Sequence, residues 1–138
     1  MALHGIKNLT ALLALFIASN VASAGSPHYA DFSLSDTEDG DSQTSFEPDT
    51  PKIFLHAGLV GVADGAKLSS SWIAEDTNGA APANYKIDSV DLTVKGGINV
   101  ATFSMTKPTK GWPKGTYRVD LFIDGKAAGA MHFKIVED

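Results

Sequence analysis

The sequence predicts an antiparallel β-sandwich of about seven strands. Between residues 52 and 135, apolar and polar side chains alternate in short runs, the two-residue period of strands with one buried face. Turn signals separate those runs: Asn78-Gly79, Pro82, Gly96-Gly97, the Pro108–Pro113 stretch and Asp124-Gly125. After residue 24, no segment keeps a helical period of 3.6 over ten or more residues. A small β-barrel is the alternative, because strand spacing does not separate it from a sandwich.

Taken in order, KIFLHAGLV at Lys52–Val60 places Ile53, Leu55, Ala57 and Leu59 on one face and reads as the first strand. Residues 67–74 follow after a turn, with Leu68, Ser70, Trp72 and Ala74 facing one way. Residues 85–95 hold a strand or two, clearest at Val90, Leu92 and Val94. Gly96-Gly97 reverses the chain into residues 98–105, where Ala101, Phe103 and Met105 alternate. The last two strands form the best specified unit. Tyr117, Val119, Leu121 and Ile123 alternate with polar residues, Asp124-Gly125 supplies a two-residue hairpin turn, and Met131, Phe133 and Ile135 resume the pattern. The expected core is Trp72, Phe103, Tyr117, Val119, Leu121 and Phe133.

The first 24 residues read as a signal peptide. Lys7 is followed by an apolar run from Leu9 to Ala18 and an Ala22-Ser23-Ala24 cleavage site. The expected protein is therefore exported, periplasmic or extracellular, with no membrane-spanning segment in the mature chain. Residues 25–50 carry seven acidic residues and no Lys or Arg, which reads as a flexible leader, with Phe32, Leu34 and Phe46 as its few large apolar groups. Residues 51–138 are the expected domain.

The 138-residue chain has no cysteine, which excludes thiolate nucleophiles, Cys-ligated metals and disulfides. Once Lys7 leaves with the signal, 16 acidic residues face 10 basic ones, a formal charge of −6. There is no basic stripe, so a nucleic-acid partner is not expected.

From residue 46 to residue 136 the chain resembles the immunoglobulin-like domains of exported, functionally uncharacterised bacterial proteins. The likeness rests on the Pro-rich entry strand, the Trp in SSSWIA, the Gly-Trp-Pro-x-Gly-x-Tyr-x-Val run at Gly111–Val119, the Asp-Gly hairpin and the closing Phe-Lys-Ile-Val. The resemblance implies a sandwich with Trp72 as its core tryptophan and Tyr117 as its corner tyrosine. It departs in lacking the inter-sheet disulfide, and it implies no catalytic residues.

Several constellations bear on function. His28, His56 and His132, with Met105 and Met131, are residue types that suit copper, so a small metal-handling protein is one alternative. No His pair has ligand spacing, however, and Pro27 removes an amide that a square-planar N-terminal site would use. The DTEDGD run fails as a calcium loop. With Gly40 sixth, Ser35, Thr37 and Phe46 fall where ligands belong. No Gly-x-Ser-x-Gly elbow marks a hydrolase. No enzyme and no cofactor are expected. Trp112 lies in a turn, where it either stacks on a sugar or partner, or folds back to plug the sandwich. A carbohydrate-binding domain is thus a further alternative. The expected function is a non-enzymatic interaction module with a protein or envelope partner. The candidate surface is Trp112, Lys52 and His56, with Lys52–Val60 as an edge strand open to strand addition.

Overall fold

The structure, a computed structural model, describes residues 26–137. The expected signal peptide lies outside these residues. Among the described residues, eight strands form two open sheets, and neither closes into a barrel. The smaller sheet places β3 (Lys52–Val60) between β1 (His28–Ser35) and β6 (Val100–Thr106). The larger runs β2 (Ser45–Phe46), β8 (Lys126–Ile135), β7 (Gly115–Ile123), β4 (Lys67–Asp76) and β5 (Tyr85–Thr93). Every pairing is antiparallel except β2 with β8, which is parallel.

Alternation explains the layering. Leu68, Ser70, Trp72 and Ala74 of β4, and Tyr117, Val119, Leu121 and Ile123 of β7, point between the sheets and are buried. Ile53, Leu55 and Ala57 of β3, with Ala101, Phe103 and Met105 of β6, face them. All six expected core residues are buried. Phe133 is the aromatic hub. Its ring stacks on Tyr117 at 5.0 Å, and Trp72, Trp112 and Phe46 meet it edge-on at 6.2, 6.1 and 5.8 Å. Such pairs add to the burial of the rings themselves.

The Tyr117 hydroxyl donates to the Pro113 carbonyl, four residues upstream, which makes Tyr117 the corner tyrosine. Gly115 makes room for this corner. It holds φ +151°, and a Cβ there would collide with the Asp76 carbonyl. The hairpin turn is as the sequence indicates: Asp124 and Gly125 take φ of 50° and 82°.

Several expectations are corrected. Within the stretch expected to be a flexible leader, residues 28–35 and 45–46 are strands, and the sandwich does not begin at residue 51. Instead β1 pairs along β3, burying Tyr29 and Leu34, while β2 adds Phe46 to the core. The Tyr29 hydroxyl crosses to the other sheet and donates to the Phe122 carbonyl at 2.8 Å. Few large apolar residues are present, but Tyr29, Leu34 and Phe46 are buried and Phe32 packs against them, so average composition understates the segment. In consequence β3 is the first strand no longer. With β1 on one side and β6 on the other, it is the centre of its sheet and not an edge.

Candidate interaction surface

Two of the three expected surface residues share one face. Lys52, Phe54 and His56 alternate outward from β3, on the side of the smaller sheet away from the core. The Lys52 ammonium sits 5.8 Å from the Phe54 ring centre, and the Phe54 and His56 rings are parallel with centroids 6.5 Å apart. His56 Nδ1 lies 3.0 Å from Thr102 Oγ1 on β6, which fixes the imidazole against the neighbouring strand. Phe54 has the same parity as its two neighbours, so the sequence shows that it belongs to this row.

The third expected residue does not join them. Trp112 is buried, with 2 % of its surface exposed. Its indole Nε1–H donates to the Thr50 carbonyl at 2.9 Å, and its backbone N–H to the Pro48 carbonyl at 2.9 Å. The side chain plugs the end of the sandwich, and the gain of a buried aromatic outweighs a place on the surface.

The sequence shows β6 as a strand but not its place as an open edge. Main-chain bonds from Leu59 N–H to the Asn99 carbonyl and from Lys107 N–H to the Pro51 carbonyl set the phase of the β3–β6 ladder. By alternation, Ala101, Phe103 and Met105 direct their backbone groups at β3, and Val100, Thr102, Ser104 and Thr106 direct theirs outward. Among the described residues, no strand pairs with that outer side.

Edges of sheets normally carry a device against unwanted pairing. β1 has an irregularity between Ala30 and Ser33, with Asp31 at φ 56°, and Gln43 N–H already caps the Leu34 carbonyl. β2 is two residues long. β5 breaks register between its pairings with Trp72 and Ile73 and carries Lys86, Asp88 and Asp91. β6 runs VATFSMT in unbroken register with β3, without charge, Pro or Gly. Beside its first residue lie Val60 (44 % exposed), Ile98 (47 %) and Val100 itself (50 %). The absence of charge from residues 100–106 was readable in the sequence. That the strand would be an edge was not.

The outer face of the larger sheet is organised differently. Arg118 Nε donates to both Asp120 carboxylate oxygens at 3.0 and 3.2 Å, and Nη1 donates to Glu75 Oε2 at 3.3 Å and Asn84 Oδ1 at 2.9 Å. The Asp120 hydrogen bond above all holds the guanidinium pKa above its ordinary value. His132 Nε2 is 3.7 Å from the same Glu75 oxygen. An open cleft of about 410 Å³ beside this network is lined by Thr44, Ser45, Thr116 and Lys134 as well as Glu75 and His132. The network is internally satisfied, and its side chains tie β4 to β7 and to the chain before β5. His28, His56 and His132 sit on three different strands, and among the described residues no three His, Asp or Glu side chains gather as a metal group. Met105 is in the core and Met131 packs against it.

No family model and no curated protein matches the sequence. Among solved structures, the chain is similar to an immunoglobulin-like protein from Pseudomonas aeruginosa, with a TM-score of 0.50 and 15 % identity over 81 % of this chain and 93 % of that one. A Pseudomonas fluorescens alkylpurine DNA glycosylase, bound to DNA containing an abasic site analog, gives a TM-score of 0.45 and 13 % identity over 80 % of this chain and 30 % of that one. The first likeness shows the fold, and only the fold: an immunoglobulin-like, all-β sandwich.

Proposed function

We propose that the chain is a non-enzymatic interaction module of the cell envelope that receives an extended segment of a partner protein along β6. The observation that carries this reading is the edge itself. β6 is long, regular and uncharged, and its outward backbone groups stand beside exposed apolar side chains. Strand addition takes its affinity from such main-chain groups, so it requires neither an enclosed pocket nor a sequence motif. Export rests on the N-terminal charge, apolar run and Ala-x-Ala site.

A photo-activated cross-linker at Thr106, on the open edge, tests the reading in living cells, with one at Ser71 on the opposite sheet as control. A discrete cross-linked species is expected from Thr106 and not from Ser71. It should vanish when Ser104 is replaced by Pro. That substitution removes an outward N–H and leaves the β3 ladder intact. A cross-link that persists in a folded Ser104→Pro protein, or its absence at Thr106, overturns the reading. Fractionation with sequencing of the mature N-terminus checks export.

A further inference from the structure

The two ends of β6 differ in chemistry. At its start, Val60, Ile98 and Val100 are all exposed. At its finish, Thr106 pairs with Lys52, and Lys107 follows directly. Neither lysine is in an ion pair among the described residues. A segment laid along β6 therefore meets apolar surface at one end and positive charge at the other.

Direction follows from register. The open edge offers N–H and C=O groups at Val100, Thr102, Ser104 and Thr106, at two-residue intervals. An antiparallel guest pairs with these in closely and widely spaced couples, and pairing of that kind is slightly stronger per residue than parallel pairing. Such a guest enters beside Thr106 and leaves beside Val100. Acidic side chains near its N-terminal end then face Lys52 and Lys107. Apolar side chains near its C-terminal end cover Ile98 and Val100. The guest turned end for end would set its carboxylates on the apolar patch and its apolar groups beside the lysines, desolvating charge without a partner.

Resting on the strand-addition reading above, we infer that β6 selects an extended peptide that is acidic at its N-terminal end and apolar at its C-terminal end. The lysines give polarity and steering, and the backbone groups give affinity. Charge across such a contact acts mainly on specificity and on the rate of encounter.

Two synthetic probes of equal composition test this, acetyl-Glu-Thr-Glu-Thr-Val-Thr-Ile-amide and the same residues in reverse order, titrated against the full mature protein. The first should bind at least about tenfold more tightly, as a pair of rim contacts allows, and the difference should shrink with added salt. The double variant Lys52→Glu, Lys107→Glu should abolish or invert the preference. Lys52 is exposed and Lys107 half-buried, and circular dichroism checks that the variant folds. Equal affinity for the two probes, or a preference unchanged in the double variant, overturns the inference and leaves strand addition standing. No binding of either probe, or binding unaffected by Ser104→Pro, overturns strand addition itself.

Discussion

Replacing Leu34 by Ala separates a docked N-terminal strand from a loose one. Leu34 is fully buried and pairs in register with Leu55, which is also fully buried. Removing three methyl(ene) groups from such a site costs the transfer energy of the atoms and the cavity they leave, about 2–5 kcal/mol together. A domain of this size holds about 5–15 kcal/mol in all, so the variant should fold but melt much earlier. At roughly 4–8 °C per kcal/mol, the midpoint should fall by about 10 °C or more. Glu38→Ala is the control. Glu38 is exposed in the acidic turn after β1, and a change there should stay within about 0.5 kcal/mol. Urea melts give both numbers. A loss below about 1 kcal/mol at Leu34 would show that β1 does not dock in solution, and the sandwich would then begin at β2.

Two further tests probe the way β1 is held. Burial pushes the hydroxyls of Tyr29 and Tyr117 up to about 12 from the ordinary value of 10.0. The fold thus favours the neutral phenol; its contribution is whole below about pH 10 and is lost as pH climbs towards 12. Urea melts from pH 8 upward should show the stability gap between wild type and Tyr29→Phe closing above about pH 10, and a constant gap would refute the assignment. Gly129 in β8 holds φ +144°, and a Cβ there would come within 3.0 Å of the Phe32 ring. Gly129→Ala should therefore cost about 1–3 kcal/mol in the same melts, chiefly through backbone strain. If Gly129→Ala proves neutral, β8 has more backbone freedom there than the structure shows.

Much of the sandwich was legible because its information is local. Strand period, the Asp124-Gly125 turn, and the inward parity of Trp72, Tyr117 and Phe133 lie within ten-residue windows. Lys52–Val60 was read with the bounds that the structure gives it. The order of strands is not local. Nothing within residues 52–60 says whether another strand lies beside them, and the strand that does, β1, hides in a segment whose mean composition is acidic and polar. Tyr29, Phe32 and Leu34 dock through position rather than abundance. The same gap hid the candidate edge. An uncharged VATFSMT is unremarkable in the middle of a sheet and consequential at its margin, and sheet position is settled only by the pairing of distant segments. Trp112 shows the reverse case. A turn between Gly111 and Pro113 left it either exposed or folded back as a plug, and what decides is that the Thr50 and Pro48 carbonyls, some 60 residues away in sequence, receive its two N–H groups.

The crossing of β1 and β2 onto different sheets has a mechanical consequence. Ser26 and Pro27, ahead of β1, line the same depression as Lys126 and Ala127 at the start of β8. Asp36, just past β1, shares another with Val136, just past β8. The first and last long strands therefore point the same way, and the chain enters the sandwich at one pole and leaves it at the other. A pull between those poles runs along the strand axes. It loads the rungs of β1 on β3, and those of β2 on β8, crosswise and all at once, instead of peeling them singly. The fold is thus braced along its length, and the short parallel clasp, where Lys134 N–H meets the Thr44 carbonyl and Val136 N–H meets that of Phe46, shares the load with the longer ladders.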